Sequence, residues 1–187
     1  MRRRNVLVAT LPLAGLAAGC GGSAPPNAAG GTPAAPGVKT ATIELEKGGT
    51  IVIDLFAQAV PQGAPKTVEN FIQKSQANFY AGLLFHRVED WVIQGGDPRC
   101  TQMNAACGTG GGQMATELNE RPFVVGSVGV ARGPDIRVSN DSQFFICVKP
   151  AGWLDRQYTN FGQVTSGMDV VQKVAVGDKI RRITVKG

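Results

Sequence analysis

The sequence predicts a mostly β domain, a closed or nearly closed antiparallel barrel carrying two α-helices. Three observations lead there: several short apolar segments alternate with a period of two, Gly, Pro, Asn and Asp separate them, and helical spacing occurs at only two places. In "TIELEKGGTIVIDLF", residues 42 to 56, Ile43 and Leu45 alternate, Lys47-Gly48-Gly49 turns, and Ile51, Ile53 and Leu55 alternate again. That is a hairpin with one buried face. "PKTVENFIQKS", 65 to 75, changes period: Val68, Phe71, Ile72 and Ser75 share a helical face, and Pro65 suits a first helical turn. Short strands are expected at 84–87, 92–94, 123–130, 143–148 and 161–164. A second amphipathic helix is expected at about 167–175, with Met168, Val171 and Val174 inward, and "IRRITVK" is a last strand.

At 187 residues the chain suits one domain plus an appendage. The appendage is N-terminal. In "MRRRNVLVATLPLAGLAAGC" a tri-arginine head precedes an apolar run from Val6 to Ala18, too short and too broken by Gly and Pro for a membrane span. Residues 1–19 fit a secretory signal peptide, and Ala17-Ala18-Gly19-Cys20 resembles a bacterial lipobox, which makes Cys20 the expected lipidation site. Residues 20–37 continue as a Gly, Ala and Pro linker without a charge or a large apolar side chain, so nothing there offsets chain entropy. The folded domain is expected to run from 38 to 187. An extracytoplasmic, membrane-anchored lipoprotein follows from this layout.

Net charge is +5, but Arg2, Arg3 and Arg4 supply three of the nineteen basic residues. The remaining sixteen nearly balance fourteen acidic residues, which argues against a nucleic-acid footprint.

"FHRVEDWVIQGGDP", residues 85 to 98, holds the only histidine. No G-x-S-x-G accompanies His86, and no C-x-x-C spacing supports a zinc site with Cys100 and Cys107, so His86 reads as structural and no metal is expected. "CGTGGG", 107 to 112, lacks the Lys-Ser/Thr of a phosphate loop and reads as a glycine loop that lets a substrate backbone approach. Strand alternation sets Gln143, Phe145 and Cys147 on one face against Phe144, Ile146 and Val148, and puts Val92 and Gln94 together. By themselves these pairs also fit ordinary barrel lining. In an exported protein, Cys100 and Cys107 around "TQMNAA" suggest a local disulfide, and Cys147 a buried free thiol.

"APKTVENF", "FHRV", "VIQGGDP", "GTGGG", "SQFFIC", and "WLD" followed by "FGQV", in this order, resemble the cyclophilin-type peptidyl-prolyl isomerases over Val38 to Gly187. The resemblance implies an eight-stranded antiparallel barrel capped by two α-helices, with activity on X-Pro bonds of exported polypeptides. It assigns Arg87 as the catalytic arginine. Trp91, Val92, Phe145 and Leu154 match the wall of the proline pocket, with Tyr158 at the rim. Gln94 and Gln143 match the residues that orient Arg87 and hold the peptide. Ala131 and Arg132 match the segment whose main chain pairs with substrate, Gly108 a glycine of the neighbouring pocket, and Trp153 the tryptophan that contacts the drug cyclosporin in the family.

The chain also departs from the family pattern. "FHRVEDWVIQ" is one residue shorter, with Glu89-Asp90 in place of a Pro-Gly turn, and "RGPDIRVSND" is about two residues longer. Tyr158 replaces a frequent histidine and Arg132 a frequent asparagine. The resemblance implies no cofactor, proline-containing unfolded or flexible polypeptides as partners, cyclosporin as a further ligand, and a monomer. The rival reading from another class is a Pro-peptide-binding or chaperone-like module without turnover.

Overall fold

The computed structural model describes residues 38–187. The expected signal peptide, Cys20 and the linker lie outside the described residues.

Nine strands form one antiparallel sheet: β1 (Lys39–Leu45), β2 (Thr50–Leu55), β3 (Phe85–Val88), β4 (Val92–Gly95), β5 (Gln113–Ala115), β6 (Ser127–Arg132), β7 (Val138–Cys147), β8 (Asn160–Ser166) and β9 (Ile180–Lys186). Eight of them run in the order β3-β4-β7-β6-β8-β2-β1-β9, while the short β5 pairs with β7 off that path. The two ends of the path meet. Leu84 bridges Lys179, Phe85 N donates to Asp178 O at 2.9 Å, and Gly82 N donates to Ile180 O at 2.8 Å. The sheet thus curls into the nearly closed barrel that the sequence predicts, with few free edges.

Period two along each strand separates inside from outside. Ile43, Ile51, Ile53, Leu55, Phe85, Ile93, Phe144, Ile146 and Phe161 fill the interior, and each such side chain contributes about 1.5–3 kcal/mol by leaving water. Helix α1 (Pro65–Gln76) covers one end with Val68, Phe71 and Ser75 buried. Ala64 cannot cap it. Instead Glu117, fifty residues along, accepts Thr67 N at 2.7 Å and Lys66 N at 3.2 Å, which satisfies two first-turn donors.

Two elements differ from expectation. The second helix, α2, spans only Met168–Val171. Beyond it Lys173 N and Val174 N bond three residues back, and Asp178 accepts Ala175 N at 2.7 Å, so the chain tightens into turns while Val171 and Val174 stay buried. The strand expected at 123–130 begins at Ser127. Gly126 at φ 82° and a Val124 N to Ser127 Oγ bond of 2.9 Å turn the chain there, leaving Val124 and Val125 exposed and Phe123 buried.

Cys100 and Cys107 are bridged, with Cα atoms 4.7 Å apart. Closing so short a loop is worth about 2 kcal/mol in the chain-entropy picture. The Cys100→Ser/Cys107→Ser protein is therefore expected to melt on the order of 5 °C lower, read by thermal unfolding. An unchanged midpoint would mean that the bridge contributes nothing the loop's hydrogen bonds do not already supply.

Candidate active site

Strands β3, β4, β7 and β6 lie side by side, and their outward side chains face one region of the barrel wall. Arg87 pairs with Gln94 across β3–β4, Gln94 with Phe145 across β4–β7, and Phe145 with Gly129 across β7–β6. A bulge in β3 makes this possible. Phe85 and Arg87 are two residues apart, yet Phe85 points into the barrel and Arg87 away from it, because His86 is the extra residue of the bulge. Bulges re-aim side chains in this way.

Outside the barrel, Val92, Phe123, Phe145, Cys147, Ala151 and Leu154 form a second apolar cluster, with Trp91 and Tyr158 packed against it. The Phe145 ring stacks on Phe123 at 5.7 Å between centroids and meets the Tyr158 edge at 5.8 Å. Gly129 lies beneath, and any Cβ there would collide with the Phe145 ring. The Phe145 and Tyr158 rings border a hollow of about 190 Å³. Trp91, Val92, Phe145, Leu154 and Tyr158 supply its apolar side; Arg87, Gln94, Ala131 and Arg132 complete the lining.

A hydrogen-bonded relay holds the polar side. Arg87 Nη1 donates to Gln94 Oε1 at 3.2 Å, Gln94 Nε2 to Gln143 Oε1 at 3.0 Å, and Gln143 Nε2 to Gly110 O at 2.7 Å. On its other edge Arg87 donates from Nε and Nη2 to the two oxygens of Glu89, at 2.7 and 3.0 Å. Glu89 also accepts the Trp91 indole N–H at 3.0 Å. The Arg87 hydrogen bonds hold the Glu89 carboxyl below its usual range.

The relay ends on the glycine loop, which folds around Asp97. This fully buried carboxylate accepts Gly108 N at 2.6 Å, Gly110 N at 3.0 Å and Arg99 N at 2.7 Å. A second hollow of about 560 Å³ opens beside the first, lined by Gly108, Gly110, Asn140 and Gln143 and sharing Gln94, Ala131 and Arg132 with it. Arg132 lies with its guanidinium 4.3 Å from the Tyr158 ring centre and donates from Nε to Gln157 O at 2.8 Å.

Two other groups are set by burial. Neither nitrogen of His86 makes a hydrogen bond of good geometry, and burial lowers its pKa against the opposing pull of Asp97 and the Leu84 backbone. The Cys147 thiol is free, buried, and pushed up to about 12 by desolvation, which keeps it unreactive.

The structure thus brings nine of the residues singled out from sequence around one hollow and Gly108 and Gln143 around the next. Trp153 lines neither. It is 62% exposed and touches the site through Trp91, edge to face at 5.4 Å. Sequence reasoning did not single out Glu89, Asp97, Phe123 or Gly129 as site residues. Asp97 ends the Gln-Gly-Gly-Asp run of the "VIQGGDP" motif, and an acid after two glycines could have flagged it. Phe123 and Gly129 carried no such signal.

Comparison with known proteins agrees with this geometry. The family model described as cyclophilin type peptidyl-prolyl cis-trans isomerase/CLD matches residues 40–186. Peptidyl-prolyl cis-trans isomerase B of Bacillus subtilis is 36% identical over 156 residues, 80% of this chain and 100% of that protein. The human peptidylprolyl isomerase domain and WD repeat-containing protein 1 is 38% identical over 128 residues, 65% of this chain; the chain spans only 19% of that longer relative. Among solved structures, a cyclophilin type peptidyl-prolyl cis-trans isomerase of Cryptosporidium parvum superposes with a TM-score of 0.68 at 23% identity, over 80% of this chain and 98% of that one. The same Cryptosporidium protein was also crystallised in the presence of the dipeptide Ala-Pro. With the match running almost from end to end of the described domain, the chain belongs to the cyclophilin-type peptidyl-prolyl cis-trans isomerase family.

Proposed function

We propose that this protein accelerates cis-trans rotation of X-Pro bonds, with Arg87 as the catalytic residue. Rotation costs ~18–20 kcal/mol because the nitrogen lone pair is delocalised into the carbonyl. Twisting the bond localises that pair on the proline nitrogen. A guanidinium donor aimed at the nitrogen binds the twisted state and not the planar one, and only such differential binding lowers the barrier. No bond breaks, so neither a nucleophile nor a proton shuttle is needed.

One observation carries the reading: a guanidinium held on two edges stands at the rim of a small hollow that has an apolar wall of Val92, Phe145 and Leu154. Phe145, Val92, Leu154 and Trp91 would take the ring. Ala131 and Arg132 would pair through their main chain with the peptide, and Gln143 would hold its backbone. Gly108 would let the preceding residues approach, and Trp153 would offer an outer aromatic contact for peptide or cyclosporin. The test is cis-trans exchange of a short Ala-Pro peptide with the intact chain and its Arg87→Ala variant. Peptide binding without any gain in exchange would support a Pro-peptide-binding module instead.

The proposal extends to location. The signal-like head and Cys20 support the reading of an extracytoplasmic, lipid-anchored catalyst, a monomer acting on exported polypeptides. Cys20→Ser is expected to abolish incorporation of labelled fatty acid during expression in a bacterial host and to release the protein from membranes. Undiminished labelling of that variant would remove the anchor.

A further inference from the structure

We infer that Glu89 is a positioning residue for the isomerisation: one carboxylate fixes both the catalytic guanidinium and the Trp91 wall of the proline pocket. This rests on the proposed role of Arg87.

The contacts lie in the short β3–β4 turn. Glu89 N donates to Val92 O at 2.8 Å and closes the turn, so residues 87, 89 and 91 follow one another on the same side of the hairpin. Glu89 then receives three hydrogen bonds, two from Arg87 and one from the indole of Trp91. The Arg87 guanidinium also lies 5.5 Å from the Trp91 ring centre. At the tip, Asp90 pairs with Lys149 at 2.9 Å, which ties the turn to the chain just beyond β7.

Donor bookkeeping shows what the clamp does. A guanidinium has five N–H groups in a rigid plane. Glu89 takes Nε–H and one hydrogen of Nη2, and Gln94 takes one of Nη1. One hydrogen is left on each terminal nitrogen, in a plane fixed from both sides. An unclamped arginine would have to find that orientation in every catalytic event. The side chains of Arg87 and Glu89 are 42% and 45% exposed, so water screens the pair and it adds little to stability. Its effect lies in orientation, where a small misplacement costs up to a hundredfold in rate.

Opposite outcomes separate this role from its rivals. With the intact chain and a saturating Ala-Pro peptide, Glu89→Ala is expected to lower kcat roughly tenfold while peptide affinity stays within about twofold. Glu89→Gln keeps the shape but accepts fewer bonds and is expected to fall between the two. The Trp91 indole N–H resonance should move in both variants, and the melting temperature should not. A kcat that rises in Glu89→Ala would mean that the carboxylate restrains the arginine, and an unchanged kcat that the pair is only a surface contact; either overturns the inference. If Arg87→Ala is inactive while Glu89→Ala is fully active, the role of Arg87 stands and that of Glu89 falls. Exchange retained by Arg87→Ala would overturn both.

Discussion

Arg87→Ala is expected to slow catalysed exchange of an X-Pro peptide by about 10²–10³-fold, the usual cost of removing one preorganised donor from a transition state. Binding should weaken far less, because the ring contacts of Phe145, Val92 and Leu154 remain. Arg87→Lys tests the geometry rather than the charge. A single ammonium cannot meet Glu89 with two parallel bonds and Gln94 with a third, so lysine is expected to recover only a small part of the rate. Both variants should fold, since Arg87 is half exposed and its ion pair with Glu89 lies at the surface. Full exchange by Arg87→Ala would remove the mechanism outright. Exchange spectra by NMR at several enzyme concentrations separate a true rate change from weaker binding.

The second large effect is expected at Asp97. Its carboxylate is fully buried and accepts three backbone N–H groups, two from the glycine loop at Gly108 and Gly110 and one from Arg99. Asp97→Ala strands those donors, and each buried unsatisfied donor costs about 1–3 kcal/mol. The loss should be about 3 kcal/mol or more, a fall in melting temperature on the order of 10 °C. Activity should fall too, because the carbonyl of Gly110 anchors Gln143, and Gln143 anchors Gln94 and through it Arg87. Asp97→Asn discriminates further. It keeps the volume but turns one acceptor into a donor facing the loop N–H groups, so it should be nearly as damaging. A variant with native stability and native exchange would show that the loop does not support the site.

Much of the site was legible in the sequence. Arg87, Gln94 and Phe145 sit in short ordered motifs, and period-two alternation put Gln143 and Phe145, and Val92 and Gln94, on common faces, as the strands bear out. The second helix was read too long, because valines at helical spacing stay buried in a run of turns just as well. Phe123-Val124-Val125 reads as strand from composition, but a positive-φ glycine at 126 ends that direction.

By itself the sequence determined the hairpin of β1 and β2, the buried face of α1, the barrel class and the family, since each rests on local period or motif order. Tertiary structure alone decided the bulge at His86 that turns Arg87 outward, the Glu117 cap on α1, the closure at Leu84 and Lys179, and the carboxylate beneath the glycine loop. The physical reason is common to them. Each satisfies backbone or side-chain polar groups with partners brought near only by folding, such as Gln94 and Gln143, 49 residues apart, and no periodicity along a chain records which distant donor will meet which acceptor.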